Sequence, residues 1–204
     1  SWLVAPPAKK PAKSIAIAQL KYNGSWNPEP EAIDQLGNYL ADKKGTSLVS
    51  KTVDAGTPIE GAKLLYITGT GAFTLDDAAR KAIKDFTDKG GTVLFEAAGG
   101  KGEFATSAEV EISKIYGKVP ELIKKDSPIY GTDLKVEYRP FNVLSIGNPL
   151  APALRGIEKD GRMIALLSRE DLCAGWLGAP TDGIVGYKPE SARAIMAQVL
   201  TSLK

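Results

Sequence analysis

A strand, a helix and a second strand follow one another over residues 62–104, and this order constrains the fold more than any other feature of the sequence. The apolar runs at residues 64–67 and 92–95 have the length of buried strands, with a helical pattern between them. Parallel strands joined by a helix end at one edge of the sheet, where open α/β sheets bind their ligands. The polar turns that follow the two runs therefore mark the expected crevice.

The same alternation of strands and helices extends to both sides of this unit. In chain order, the pattern predicts a strand at 15–20, a helix from Pro30 to Gly45, a strand at 48–53, a helix at 104–116, strands at 134–138 and 163–167, and a last helix from Pro189 onward. In the central unit, Thr74 is the expected N-cap of the helix, with Asp77 three residues on, and Gly90 ends it. Alternating β and α elements indicate an α/β fold with a mostly parallel sheet and helices on both faces.

Composition and charge indicate one domain and exclude some partners. Of the 204 residues, 43% are hydrophobic, which is enough for one substantial core, and we expect a single α/β domain at residues 14–204. Residues 1–13 are rich in proline and lysine and predict a linker from the N-terminal remainder of a longer protein. The 26 basic and 24 acidic residues are mixed along the chain, so we expect this domain to bind neither nucleic acid nor a membrane.

The sequence has no histidine, and its single cysteine is Cys173. The usual general base at neutral pH, the usual zinc ligand and the base of Ser/His and Cys/His pairs are therefore missing. The nearby Asp171 disfavours a thiolate, and a free cysteine is among the most buried residue types. We expect an inert thiol, no catalytic residue of these classes, no resident metal and no cofactor.

Three carboxylates follow predicted buried strands. Glu96 ends the strand at 92–95, and Glu170 and Asp171 follow the strand at 163–167. A carboxylate at such a position must be solvated by the crevice or paired. If two of them converge, like-charge repulsion raises one pKa and creates an acid/base pair or a site for a hard metal. Our preferred interpretation is that these carboxylates cap helices or are solvated.

The glycine-rich turn at residues 99–102 precedes a predicted helix. Its backbone N–H groups could face an anion, with the Lys101 ammonium adding positive charge. The spacing is not that of a Walker A motif, and a flexible turn is the preferred interpretation.

Aromatic side chains occur in the loops expected at the same sheet edge. Tyr22, Trp26 and Trp176 could stack there on a sugar or another flat ligand, although packing inside the protein is equally compatible with the sequence. The complete predicted ligand-binding set is Tyr22, Trp26, Thr68, Thr70, Glu96, Asp171 and Trp176.

Several segments together carry a family resemblance. They are residues 21–26, 66–69, 89–96, 126–130, 171–176 and 186–187, with the helices that follow Thr74 and Tyr187. In order and spacing they resemble the bacterial family known as domain of unknown function forty-one fifty-nine. The resemblance implies a three-layer, flavodoxin-like sandwich similar to class I glutamine amidotransferases, commonly at the C-terminal end of larger, often envelope-associated proteins. We therefore expect the bacterial envelope or periplasm rather than the cytoplasm.

The chain also departs from the family pattern. Relatives tend to carry an acidic pair where this chain has Glu96 and Ala97, and a histidine where it has Ser127. True amidotransferases place a nucleophilic cysteine in the tight turn after a central strand. Residues 96–99 contain none, so glutamine hydrolysis by that route is excluded.

Two functions follow as hypotheses. The first is a non-catalytic domain of a larger bacterial protein that binds a small polar or sugar-like ligand, or a protein segment, in the crevice. The alternative is a histidine-free hydrolase that acts on a small polar or carbohydrate-like substrate through Glu96 with Asp171 or Glu170, with or without a divalent metal. A purely structural docking domain is a third possibility, and it predicts an apolar surface patch without a pocket.

Overall fold

The computed structural model describes residues 12–132, 134–139, 151–180 and 183–203. Its strands are β1 (Lys13–Lys21), β2 (Thr46–Asp54), β3 (Leu64–Gly69), β4 (Thr92–Ala97), β5 (Glu121–Leu122), β6 (Arg155–Lys159) and β7 (Arg162–Ser168). Its α-helices are α1 (Ala32–Lys44), α2 (Asp77–Asp88), α3 (Gly102–Tyr116), α4 (Cys173–Leu177) and α5 (Pro189–Ser202), and short 3-10 turns span Ala98–Gly100 and Pro128–Tyr130. Most of the predicted linker lies outside the described residues, and the linker stays a prediction.

The strands form one seven-stranded sheet in the order β2-β1-β3-β4-β7-β6-β5. The first five strands in this order are parallel, and β6 and β5 add an antiparallel edge. Counted along the chain, the parallel strands have the flavodoxin-like order 2-1-3-4-5. The predicted α/β fold with a mostly parallel, flavodoxin-like sheet is confirmed.

Two hydrophobic cores lie on the two faces of the sheet. One core joins the sheet to α1, α4 and α5, and the other joins it to α2 and α3. β3 and β4 are buried along their whole length because both of their faces are covered, which is why their sequences read as continuous apolar runs. The fold is therefore a three-layer sandwich.

Two local predictions were wrong. The helix predicted from Thr74 begins later, because the Asp76 carboxylate is the N-cap and accepts the backbone N–H of Ala79 at 2.8 Å. The half-exposed strand predicted at 134–138 is absent from its described residues, where Tyr138 forms only an isolated bridge to Tyr187. The alternation there reflects burial of Val136 and Tyr138 in the core beside α5.

The hairpin of β6 and β7 was not predicted from the sequence. Its turn is Asp160-Gly161, and both residues have positive φ, 52° and 75°. An Asp-Gly turn between apolar stretches is a strong hairpin signal, because this pair tolerates the left-handed backbone that a tight turn requires. None of the described helices is long and apolar enough to cross a membrane.

Candidate functional site

The sheet register brings the predicted crevice residues to one edge. Thr68 on β3 is paired with Glu96 on β4, and Glu96 with Ser168 on β7. Glu170 and Asp171 come shortly after Ser168, separated from it by Arg169, so they lie at the same carboxyl edge. The convergence expected from parallel strands is present here.

The Glu96 carboxylate is completely buried and accepts four hydrogen bonds. The Tyr66 hydroxyl donates to Oε1 at 2.8 Å, and the Thr68 hydroxyl, whose one proton can go to either oxygen, lies 2.6 Å from Oε1 and 2.9 Å from the Glu96 carbonyl oxygen. The backbone N–H groups of Leu172 and Cys173, at the start of α4, donate to Oε2 at 2.8 and 3.1 Å. Each carboxylate oxygen therefore has two donors from the protein itself, which compensates for the lost hydration.

Asp171 is also completely buried and has its own donors. The backbone N–H of Gly99 donates to Oδ2 at 2.6 Å, and that of Ala174 donates to Oδ1 at 3.1 Å. The glycine-rich turn that could have faced an external anion thus directs an N–H group at a carboxylate of the same chain. Burial, and then the nearby Glu96 charge, raise the pKa of Asp171 to about 7.

A segment at residues 184–187 covers this edge. The N–H of Val185 donates to the carbonyl of Gly99 at 3.2 Å, and the carbonyl of Val185 accepts the N–H of Asp171 at 2.9 Å. The N–H of Tyr187 in turn donates to the carbonyl of Asp171 at 3.2 Å. A Cβ on Gly100 would lie 2.2 Å from the Val185 oxygen, so only glycine allows this close approach. The protein's own backbone therefore lies directly against Asp171 and the turn at Gly99 and Gly100.

Cys173 completes a compact cluster with the two carboxylates. One ligand atom from each of Glu96, Asp171 and Cys173 lies within 4.8 Å of the others, a spacing that a metal ion could bridge. The Glu96 oxygens are, however, occupied by four donors, and the thiol donates to Asp171 Oδ2 at 3.5 Å. Burial and the two carboxylates raise the pKa of the thiol far above its usual range, so the thiol of this cluster is neutral. The carboxylates are satisfied here by donors from the protein itself.

The more open part of the edge lies between β1 and β3. In the order 2-1-3-4-5 this is where the chain reverses its direction of strand addition, the usual place for a ligand crevice. The Ser25 and Thr70 hydroxyls lie 3.0 Å apart, and the Ser25 hydroxyl accepts the backbone N–H of Thr70 at 3.1 Å. Trp26 is half-buried, and the Lys21 ammonium lies 5.8 Å from the centre of its ring. We call Lys21, Ser25, Trp26 and Thr70 the rim.

Two predicted site aromatics are buried rather than open to a ligand. The Tyr22 hydroxyl donates to the carbonyl of Thr68 at 2.9 Å, and its ring packs against Phe73. Trp176 lies in α4 instead of the predicted loop, is 1% exposed, and donates its indole N–H to the carbonyl of Ala192 at 3.3 Å. Of the seven predicted residues, Trp26 and Thr70 are the two that are not fully buried.

Glu170 is separate from the cluster of Glu96 and Asp171. It is 4% exposed, its Oε2 has no hydrogen-bond partner among the described residues, and burial raises its pKa to about 7. The Tyr130 hydroxyl likewise has no hydrogen-bond partner among the described residues. A buried carboxyl without donors to its oxygen is favoured in the protonated form.

Two adjoining grooves, which were not predicted from the sequence, lie at the amino end of the parallel strands and along β5. Their volumes are about 680 and 830 Å³, and both are lined by Ser127, Pro128, Glu158 and Met163. Val119 and Leu122 are exposed beside the second groove, at 63% and 59%. Recognition of the β6–β7 hairpin from Asp160-Gly161 would have been the signal for this surface.

Comparison with known proteins gives a family but no activity. The model of the family described as "Domain of unknown function (DUF4159)" matches residues 16–198, which confirms the identification made from sequence. No curated protein matches the chain. Among solved structures, the chain is similar to one described as PurLQS from Thermotoga maritima, with 11% identity, a TM-score of 0.48, and coverage of 93% of this chain and 99% of that one.

Proposed function

This chain belongs to the DUF4159 family, and we propose that it is a non-catalytic binding domain whose rim contacts a small, hydroxylated, sugar-like ligand. The proposal that the domain is non-catalytic rests on Glu96, whose carboxylate already has its hydrogen-bond donors within the protein. Four protein donors hold its carboxylate, and none of its surface is exposed. A general acid or base must reach the proton that it transfers, directly or through one water. Glu96 has neither the exposure nor a free position for this.

The rim supports the choice of ligand. It combines two hydroxyls, an ammonium and a half-buried indole at the point where β1 and β3 diverge. Hydroxyl groups exchange hydrogen bonds with a sugar, and an indole offers an apolar surface to its C–H groups. Gln19 holds the loop that carries Trp26, because its side-chain N–H donates to the carbonyl of Trp26 at 3.0 Å.

Binding can be measured through the intrinsic fluorescence of tryptophan. We would titrate the chain with N-acetylglucosamine, its β-1,4-linked oligomers and maltooligosaccharides, and follow the thermal stability in parallel. Binding should be lost in Trp26→Ala and retained in Val119→Ala, a matched change of an exposed residue at the far end of the sheet. Absence of binding to all of these sugars, or equal binding by the two variants, would reject the rim as a sugar site.

One observation favours the hydrolase alternative. The Glu96 and Asp171 oxygens are close enough for paired-carboxylate chemistry, and the pKa of Asp171 is raised to about 7, near the value that suits an acid/base catalyst at neutral pH. The same oligosaccharides can be assayed for new reducing ends. Turnover that disappears in a folded Glu96→Gln variant would replace the binding proposal with this alternative.

A further inference from the structure

The outer edge of β2 is open over the full length of the strand. β2 pairs with β1 through all nine of its residues, from Thr46 to Asp54, and it is the last strand at its end of the sheet. Its other edge pairs with no strand among the described residues. Residues 49–52 are exposed, and Val49 retains 53% of its accessible surface. A long edge with unpaired N–H and C=O groups is a template for another strand.

The features that usually prevent an edge strand from pairing with another chain are weak in β2. The strand contains no proline, and it pairs with β1 without a recorded bulge. Its single lysine, Lys51, donates to the carbonyl of Glu60 in the connection that leads to β3. The ammonium is therefore held against the chain's own backbone and does not lie free along the edge.

We propose that a second copy of this chain pairs with β2 along this edge, antiparallel and around a two-fold axis. Such a contact uses the same surface on both copies. Directly opposite residues of an antiparallel pair point to the same face of the sheet, and neighbouring residues of a strand point to opposite faces. The residue numbers of two opposite residues must therefore have the same even sum along the whole strand pair. The two-fold axis then passes midway between one residue of β2 and the same residue of the second copy.

Side-chain chemistry selects the register centred on Val49. It places Val49 opposite Val49 of the second copy, so that the exposed apolar side chain next to the middle of the strand is covered by its equivalent. Shifting the axis to Leu48 or Ser50 places Val49 opposite Ser47 or Lys51. Centring it on Lys51 places two like charges opposite each other, which destabilises a sheet pair.

The same register brings opposite charges together at both ends. It brings Asp54, the last residue of β2, to the amino end of β2 in the second copy, where α1 ends at Lys44. Neither side chain forms an ion pair within the described part of the chain. Leu48 packs into the core beside α1, and Asp54 shares its face of the strand, so the two charges lie on the same side. Asp54 of each copy thus faces the end of α1 that carries Lys44 in the other copy, with one such contact on each side of the central valines.

The oligomeric state tests this proposal. Sedimentation velocity over a range of concentrations should show a dimer. Val49→Lys should raise the dissociation constant at least about tenfold, because two ammonium groups then meet on the axis. Val119→Lys, at an equally exposed valine near β5, should leave the dimer unchanged. Circular dichroism establishes that both variants are folded.

Cross-linking and charge exchange test the register. Opposite Cα atoms in an antiparallel pair are about 4.5–5.5 Å apart, within the range of a disulfide. Val49→Cys should therefore oxidise to a covalent dimer and Val119→Cys should not, while Cys173 stays buried in both. Asp54→Lys should weaken the dimer, and the added change Lys44→Asp should restore it. A chain that remains a monomer at every concentration, or a dimer indifferent to Val49→Lys, would overturn the proposal.

Discussion

The Glu96 carboxylate accepts the backbone N–H of Leu172 at 2.8 Å, although the two residues are 76 positions apart in the sequence. This bond fastens the carboxyl end of β4 to the start of α4. A carboxylate that would be exposed in an open crevice serves here as an internal acceptor for backbone groups that have no other partner. The stability of the carboxyl edge of the sheet should therefore depend more on a hydrogen-bond acceptor at position 96 than on the negative charge of Glu96.

The first prediction separates these two contributions of Glu96. Glu96→Ala leaves several buried donors without an acceptor and should lower the free energy of unfolding by about 3–5 kcal/mol, since each unsatisfied buried group costs about 1–3 kcal/mol. Glu96→Gln keeps an oxygen for the N–H groups, and the Tyr66 and Thr68 hydroxyls can turn to accept from its amide, so it should cost about 1–2 kcal/mol. Urea denaturation measures both. Equal losses would contradict an acceptor role.

The second prediction concerns pH and Glu170. Burial raises the pKa of this carboxyl from its ordinary 4.5 to about 7. Between these values the folded protein holds a proton that the unfolded chain releases, so this group's contribution to stability is complete below pH 4.5 and is lost as the pH rises towards 7. The free energy of unfolding should fall by up to about 1.4 kcal/mol per pH unit across this window because of this one group.

The Glu170→Gln variant is the control for this pH dependence. Glutamine approximates the protonated carboxyl and does not titrate. The difference in the free energy of unfolding between the native chain and the variant should therefore change with pH as predicted for Glu170. Urea denaturation at pH 4, 5, 6 and 7 measures it. A difference that stays constant with pH would show that Glu170 ionises at its ordinary pKa in the folded protein.

The third prediction concerns the Cys173 thiol. Because burial and the neighbouring carboxylates raise its pKa, the folded protein should react with iodoacetamide at pH 8 only through unfolding. Full labelling is expected in urea, and mass spectrometry counts the modified residue. Fast labelling of the native protein would indicate an accessible thiolate and would reopen nucleophilic chemistry at this position.

The fourth prediction tests the cover formed by residues 184–187. Gly100→Ala introduces a Cβ at 2.2 Å from the Val185 oxygen on a backbone with φ of 71°, and should destabilise the protein by about 2–4 kcal/mol. Gly71→Ala is the matched control, because its Cβ meets nothing within 4 Å, and it should change stability by less than about 1 kcal/mol. A neutral Gly100→Ala would mean that the cover is displaced at little cost.

Elements with strong periodicity could be predicted from the sequence. The buried runs of β3 and β4 and the capped helix α1, closed by Gly45 in a left-handed conformation, lie where the pattern placed them. The predicted start of α2 was wrong. Thr74 and Asp76 are both residue types that cap helices well, and the sequence alone does not decide between them. Two-residue β5 carries no periodic signal at all.

The convergence of Thr68, Glu96 and Asp171 at one sheet edge was predicted, and their burial was not. Parallel β topology is enough to bring Thr68, Glu96 and Asp171 to one edge. Whether that edge is open depends on a contact between Val185 and Gly99, which no local pattern encodes. The burial of Trp176 likewise depends on its contact with α5, which the residues next to it in the sequence do not encode.

The bonds that join Gly99 to Asp171 and to Val185 connect parts of the chain that are far apart in sequence. Contacts of this kind require the closure of long loops, which slows their formation relative to the local pairing of β1 with β2 or β3 with β4. The carboxyl edge should accordingly consolidate last during folding. Until then Glu96 and Asp171 remain hydrated, and they lose this hydration only at the final step.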